Sequence, residues 1–419
     1  MSTPQKSYVV PMIIIGALFF IFGFVTWLNS VLIPFLQQAC ELTDFQAYFV
    51  TFAFYISYFV MAIPSSVILK RTGYAKGMSV GLGIMAVGSL VFIPGAMMRS
   101  YPVFLLGLFI QATGMTLLQT ASNPYITILG PIESAAKRIS IVGICNKVAG
   151  MIGILILVEL LFSDTKAVSE RISTLSGAAL AAELDALAMR VIVPYVIMAI
   201  VLGALSLMII KAHLPEVNQD DDGSAGTSDH AKGKSSVFDF PHLILGVICI
   251  FAYVGVEVIA IDTIGLYGQF MGFDLDVASS FGIYSLIALT IGYLLGIVVI
   301  PKYLKQRNAL MICAVLGFIF SLGALFTHGT ASIIFIILLS FAHALMWPSI
   351  WPLAIDKLGS FTKTGSALLI MGICGGAILP LVYGAIADST NRQHAYWILL
   401  PCYLYILYFA VKGYRVGRA

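Results

Sequence analysis

Twelve separate apolar runs, each close to or beyond the roughly 20 residues that cross a hydrocarbon layer about 30 Å thick, dominate this 419-residue chain. They fall at about 9–38, 43–69, 77–97, 101–129, 139–162, 190–210, 241–271, 277–300, 308–327, 331–355, 364–386 and 395–411. Lipid offers no water to satisfy backbone N–H and C=O groups, so runs of this length are forced into helices. The expected fold class is an all-α membrane protein with twelve transmembrane helices. Composition agrees: 60% of residues are hydrophobic and 10% charged, against roughly 45–50% and 25% in soluble domains. A soluble globule is excluded, and so, outside one short stretch, is a disordered chain. The first run has no small-residue cleavage site at signal-peptide distance and is expected to stay as a helix. The first, fourth, seventh and tenth runs exceed the minimum length, and Pro34, Pro124, Pro348 and Pro352 offer places to bend.

Charge sets orientation and removes some partners. The net charge is +3, with Lys and Arg scattered in short clusters between apolar runs, so no basic stripe suits a nucleic-acid backbone. With both termini cytoplasmic, seventeen of the 23 Lys and Arg lie inside; Arg99, Lys166, Arg171, Arg190 and Arg392 lie outside, and Lys147 lies within a run. The positive-inside rule therefore predicts cytoplasmic termini. The six cysteines lack C-x-x-C and Cys/His ligand spacing, and they read as small core residues rather than a metal site.

One polar segment, His213 to Phe240, carries Asp220-Asp221-Asp222 and Gly/Ser residues, the composition of a flexible tether. It divides the chain into an N-terminal six-helix bundle (1–211), a cytoplasmic linker (212–240) and a C-terminal six-helix bundle (241–419). The halves repeat in sequence: Pro124-Tyr-Ile-Thr-Ile-Leu-Gly130 and Val142-Gly-Ile-Cys145 recur as Pro352-Leu-Ala-Ile-Asp-Lys-Leu-Gly359 and Met371-Gly-Ile-Cys374. The offset is 228 residues at the prolines and 229 at the Gly-Ile-Cys steps. Two six-helix bundles related by parallel repetition form the major facilitator architecture.

Polar groups within hydrocarbon are costly, so those present point to a partner or a wet cavity. At about 1.5 Å per residue, Gln119, Asn123, Asn146 and Lys147 fall near mid-bilayer, and Asn29 and Ser30 lie shallower, toward the outside. Amides that donate and accept, together with aromatic faces, suit a sugar. Asn29, Gln119, Asn123, Asn146 and Glu257 are the polar substrate-binding candidates, with Trp347 and Trp351, and also Trp27 and Tyr125, as aromatic faces; interhelical hydrogen bonding is the alternative for the amides. Lys147, Glu257 and Asp262 are the candidates for ion coupling. A lysine at the bilayer centre costs about 2.5–3.5 kcal/mol on insertion scales and demands compensation. Glu257 and Asp262 stand about 140° apart on an ideal helix, so both face one cavity only if the helix unwinds; Asp262 reads otherwise as an outer-gate or helix-pair residue. His343 reads as a buried hydrogen-bonded histidine or a coupling group. Glu159 and Asp388 fall at run ends, where water reaches them. The basic turn within 65–77 reads equally as a closing clamp or as positive-inside charge.

The chain resembles the fucose/galactose/glucose symporters of the major facilitator superfamily, which include bacterial glucose/galactose transporters. The resemblance is carried by Phe24-Val-Thr-Trp-Leu-Asn-Ser-Val-Leu-Ile-Pro34, Ala53-Phe-Tyr-Ile-Ser-Tyr-Phe-Val-Met-Ala62, Leu118-Gln-Thr-Ala-Ser-Asn-Pro-Tyr-Ile-Thr-Ile-Leu-Gly-Pro131, Tyr253-Val-Gly-Val-Glu257 and Phe409-Ala-Val-Lys-Gly-Tyr414. It implies hexose uptake across a bacterial cytoplasmic (inner) membrane, driven by a cation gradient. In the fucose branch an Asn-Asp pair in the first span and a Glu-Thr-Ala-x-Asn-Pro segment in the fourth supply carboxylates tied to proton coupling and sugar binding. Here those carboxylate positions read Ser30 and Gln119, which cannot carry a proton at physiological pH. A small polar residue of the fifth span reads Lys147, and Asn29, Asn123 and Asn146 match. The resulting expectation is a secondary active hexose transporter, glucose or galactose as cargo, working by alternating access as a monomer in the bilayer. It needs no cofactor beyond a coupling ion, proton or sodium. An ion-independent uniporter and a sugar-sensing receptor are the alternatives; no nucleophile with a base, and no metal cluster, argues for an enzyme.

Overall fold

The computed structural model describes residues 9–128, 135–162, 164–211, 236–300, 303–358 and 361–417, and the regular elements among these residues are all helices. Twelve helical spans are long and apolar enough to cross a membrane: Met12–Ala39, Asp44–Leu69, Arg71–Met97, Tyr101–Ser122, Ile141–Phe162, Gly177–Lys211, Pro241–Asp262, Leu275–Val299, Gln306–Phe326, Gly329–Ile355, Thr364–Ser389 and His394–Val411. They are called spans 1 to 12. Most of the polar tether lies outside the described residues.

Two boundaries differ from those read off hydropathy. Span 6 begins at Gly177 rather than near 190. Its first thirteen residues are rich in Ala and Leu, strong helix formers, and Glu183 and Asp185 disguise them as loop. Span 7 stops at Asp262; Thr263 separates it from a short helix, Ile264–Phe270. The expected bend in the first run also has a different origin. Its helices Val9–Trp27 and Asn29–Ala39 part at Leu28, six residues before Pro34. There the Ser30 hydroxyl donates to the Trp27 carbonyl at 2.9 Å, and the Leu28 carbonyl accepts from both Val31 and Leu32, so a side chain has entered the ladder. Spans 2 and 3 join at Gly73, whose φ of 76° suits a residue without Cβ.

Span 1 packs along span 5, span 3 along spans 4 and 6, span 7 against spans 11 and 12, and span 9 against spans 10 and 12. Between the first six spans and the last six, span 2 lies against span 11 and span 5 against span 8. Two glycines fix how tightly each half is wound. A Cβ at Gly23 of span 1 would fall on the Asn146 carbonyl of span 5, and a Cβ at Gly375 of span 11 would fall on the Phe251 carbonyl of span 7. Gly23 and Phe251 are 228 positions apart and Asn146 and Gly375 are 229 apart, the offsets of the sequence repeat. The two halves thus cross first and fifth helices at one equivalent point, with the glycine on opposite partners.

Candidate functional site

The crossing at Gly23 presses the backbone of span 1 onto that of span 5 and brings Trp27, one turn on, beside Asn146. Trp27 Nε1 donates to Asn146 Oδ1 at 3.1 Å, and Asn146 Nδ2 donates to the Phe19 carbonyl at 3.3 Å. The Asn146 amide therefore ties span 5 to span 1 with both its ends. Trp27, read from sequence as a sugar-facing ring, is occupied in the same way. Lys147 Nζ sits 4.2 Å from the centre of the Trp27 ring and 6.0 Å from that of Tyr293 on span 8. An ammonium over an aromatic face recovers part of the solvation it lost. The side chain is only 8% exposed, too deep to reach water along its own stem.

Across the joint, span 7 supplies Glu257, partly exposed. Its carboxylate interacts electrostatically with Lys147 and with the hydroxyl of Tyr253, one turn earlier on the same helix. The cation of one half and the carboxylate of the other answer each other, which is the compensation that a lysine at this depth requires.

Gln119 of span 4 donates to the Tyr58 hydroxyl at 3.1 Å, and the Tyr58 ring stacks on Tyr55, centroids 6.2 Å apart. Tyr55 in turn packs where a Cβ at Gly376 of span 11 would sit, and its hydroxyl senses the charges of Glu257 and Asp262. In the C-terminal half the rings form a continuous wall. Trp347 lies 5.3 Å from Trp351 and 6.3 Å from Tyr253, and Tyr253 meets His343 edge-on at 6.3 Å. His343 Nε2 bonds the Tyr403 hydroxyl at 2.6 Å, so of its two readings the buried, hydrogen-bonded one describes its surroundings. Trp347 and Trp351 remain partly exposed.

Asn29 and Asp262 are each 1% exposed, and no side-chain nitrogen or oxygen of either has a hydrogen-bond partner among the described residues. The Asn123 and Tyr125 side chains lie outside the described residues.

A second constellation was not singled out from the sequence. At the end of the bundle bearing loops 40–43 and 390–393, Arg392 holds Asp44 through two bonds, Nε to Oδ2 and Nη2 to Oδ1, both 2.8 Å. It also donates to the Leu266 carbonyl at 2.9 Å and to Gln37 Oε1 at 3.3 Å, and Gln37 Nε2 closes on Asp44 at 2.6 Å. Asp388, read from sequence only as a solvated run end, accepts the backbone N–H groups of Asp44 at 2.9 Å and Phe45 at 3.0 Å, the first amides of a helix that cannot satisfy them internally. Gln37, Asp44 and Phe45 belong to spans 1 and 2; Arg392 and Asp388 belong to the C-terminal half. This latch ties the halves together at one end. Beneath it Tyr48 occupies the place of a Cβ at Gly384, and Ile154 and Ser30 crowd Gly282. Span-end charges and one loop arginine were visible in the sequence, but nothing there paired residues about 350 positions apart. Among the other cations of the same end, Arg99 meets Asp185 at 3.0 Å, Arg171 meets Glu183 at 2.8 Å and Arg190 meets Asp164. An open groove of about 540 Å³ lies nearby between Phe45 and span 11, but its lining of Ile378, Leu381, Val382 and Ile386 is apolar and unsuited to a sugar.

Twelve spans with opposed charges at the joint between two similar halves, and a polar latch across one end, define a membrane transporter. The chain belongs to the Major Facilitator Superfamily, whose profile matches residues 15–380. The glucose/galactose transporter of Brucella abortus biovar 1 (strain 9-941) is 32% identical over 426 aligned residues, covering 98% of this chain and 96% of that protein. The L-fucose-proton symporter of Escherichia coli (strain K12) is 29% identical over 410 residues, covering 97% and 93%. The crystal structure of the transporter FucP in the outward conformation superposes with a TM-score of 0.73 at 29% identity, covering 97% of this chain and 99% of that one. The D-xylose-proton symporter, at 15% identity and a TM-score of 0.68, shares the fold. The resemblance read from the sequence motifs is thereby established, and the family and these relatives are transporters rather than enzymes.

Proposed function

We propose that this protein carries a hexose, glucose or galactose, across the bacterial cytoplasmic membrane by alternating access of two bundles, 1–211 and 241–419, joined by the tether 212–240, in cation-coupled symport. The observation that supports this most is the electrostatic interaction of Lys147 with Glu257 from opposite halves, close to the Gln119–Tyr58–Tyr55 chain and the Trp347–Trp351 wall. In this reading Gln119, Asn123 and Glu257 contact sugar hydroxyls, Trp347 and Trp351 stack on the C–H face, and Asn29 of span 1 and Asn146 of span 5 shape the chamber. Lys147, Glu257 and Asp262 handle the coupling ion. In this reading the termini and tether lie in the cytoplasm, which the charge bias supports, so the latch faces outward and this conformation is closed on that side. A monomer suffices, since both bundles belong to one chain.

Counterflow of labelled glucose, galactose, fucose and N-acetylglucosamine into proteoliposomes tests the reading. Exchange of glucose or galactose is the expected result; no exchange of any sugar would remove the proposal. Exchange that neither a proton nor a sodium gradient turns into accumulation would make the protein a uniporter.

A further inference from the structure

Asp262 is the ionisable group whose surroundings are least complete. It ends span 7 at the Thr263 break, is 1% exposed, and has no donor for either carboxylate oxygen among the described residues. The charge that acts on it is Glu257, a like charge five residues earlier on its own helix. From span 2 the hydroxyls of Tyr48 and Tyr55 both sense its charge. The neighbouring Thr263 hydroxyl is already engaged by the Ile259 carbonyl and by Tyr396, each at 2.7 Å. Lys147 interacts electrostatically with Glu257, and the interaction acting on Asp262 is that of Glu257. An isolated carboxylate in this setting is too costly to remain charged. A hard metal cation would need several further oxygen ligands, whereas a proton needs only the carboxylate.

The latch adjoins Asp262. Arg392 donates to the Leu266 carbonyl, one helical turn beyond Asp262, and Tyr48 stands between, sensing Asp44, Arg392 and Asp262 together. The Tyr48 hydroxyl is itself buried without a hydrogen-bond partner among the described residues.

We propose that Asp262 carries the coupling ion and that this ion is a proton. The proton adds to the Asp262 carboxylate from the latch side when the latch is open, travels sealed beneath it, and leaves as the free ion to the opposite solution, one per sugar. The assignment rests on the hexose-transport reading and moves the charge function, relative to the fucose branch, from spans 1 and 4 to span 7.

The full-length protein in proteoliposomes tests this with the hexose that gives the largest counterflow. In the parent, an imposed gradient of one pH unit is expected to drive about tenfold accumulation, the limit for one proton per sugar, and sugar entry should alkalinise a weakly buffered exterior. Asp262→Asn should keep counterflow while losing both accumulation and alkalinisation. Asp262→Glu should keep all three with a displaced pH midpoint. Accumulation by Asp262→Asn, accumulation in the parent that follows sodium instead of pH, or an exchanging but uncoupled Asp262→Glu would each overturn the assignment. Loss of counterflow in Asp262→Asn while Asp262→Glu still exchanges would also overturn it, giving the residue a place in sugar binding. A parent that exchanges no hexose would instead sink the transport reading itself, which the parent control reveals before any variant is compared.

Discussion

The two halves share a helix plan yet furnish their common joint differently. The first six spans contribute amides and a cation: Gln119, Asn146 and Lys147. The last six contribute carboxylates and rings: Glu257, Asp262, His343, Trp347 and Trp351. Asn146 spends its amide on its own half, holding span 5 to span 1 through Trp27 and the Phe19 carbonyl, while the rings of the other half lean on one another. Lys147 and Glu257 carry opposite charge across the joint, as Arg392 and Asp44 do at the latch end. Each half is therefore internally braced, and the charged and aromatic groups of the proposed site lie where the two meet.

The strongest way to break this contrast is to remove the cation from the amide-bearing half. Lys147→Gln should abolish gradient-driven accumulation and spare exchange, because Glu257 then loses its counter-charge while the sugar contacts stay in place; accumulation at the parent level would dismiss a coupling role for Lys147. Next in size is the latch. Asp44→Asn leaves the Arg392 guanidinium unanswered at a site where the pair's side chains are 11% and 19% exposed. Breaking well-buried pairs costs about 3–5 kcal/mol, and this pair, partly reached by water, should lose about 2 kcal/mol from the closed state. Hydrogen exchange across residues 44–48 should accelerate accordingly; unchanged protection would mean that the packing of Tyr48 on span 11 alone holds this end.

Trimming the aromatic half should act on affinity. Trp351→Ala is expected to raise the half-saturating sugar concentration by about fivefold to tenfold, the value of roughly 1 kcal/mol for ring contact, with maximal exchange little changed; the same trimming at Phe270, an exposed ring outside the joint, should do nothing measurable. The smallest effect belongs to the loop pair Asp164–Arg190. Hydrogen bonding from Arg190 holds the Asp164 carboxyl below its ordinary value. Its contribution is thus complete above the ordinary carboxylate range and is lost as pH falls through the lowered value. With the carboxylate 45% exposed, Asp164→Asn should cost no more than about 0.5 kcal/mol, read as a slight fall in thermal stability at neutral pH that disappears in strong acid.

Hydropathy made the spans legible because the length of an apolar run is a direct image of bilayer thickness. It failed at span 6, where Glu183 and Asp185 interrupt an otherwise helix-favouring segment, and at Thr263, where nothing in the local sequence announces a break. Lys147 and Glu257 stood out because a charge surrounded by apolar residues is conspicuous by itself. The partners of Asn146 and His343 did not, since Trp27 and Tyr403 are distant in sequence and ordinary in type. The latch was least visible: Asp44, Asp388 and Arg392 are common loop charges whose meeting depends on how the finished halves lean together.

The exchange of a glycine between the two crossing points has a historical reading. A duplicated gene starts with twin copies, and at each junction one helix must shed its side chain so that the other can come near. Here the copies settled the matter in opposite ways. In one, the fifth helix kept a side chain at the junction and acquired Asn146 followed by Lys147; in the other it became Gly375-Gly376. At each crossing the helix that keeps its side chain is the one that carries buried ionisable groups: the fifth in one half, with Lys147, and the first in the other, where Glu257 and Asp262 stand.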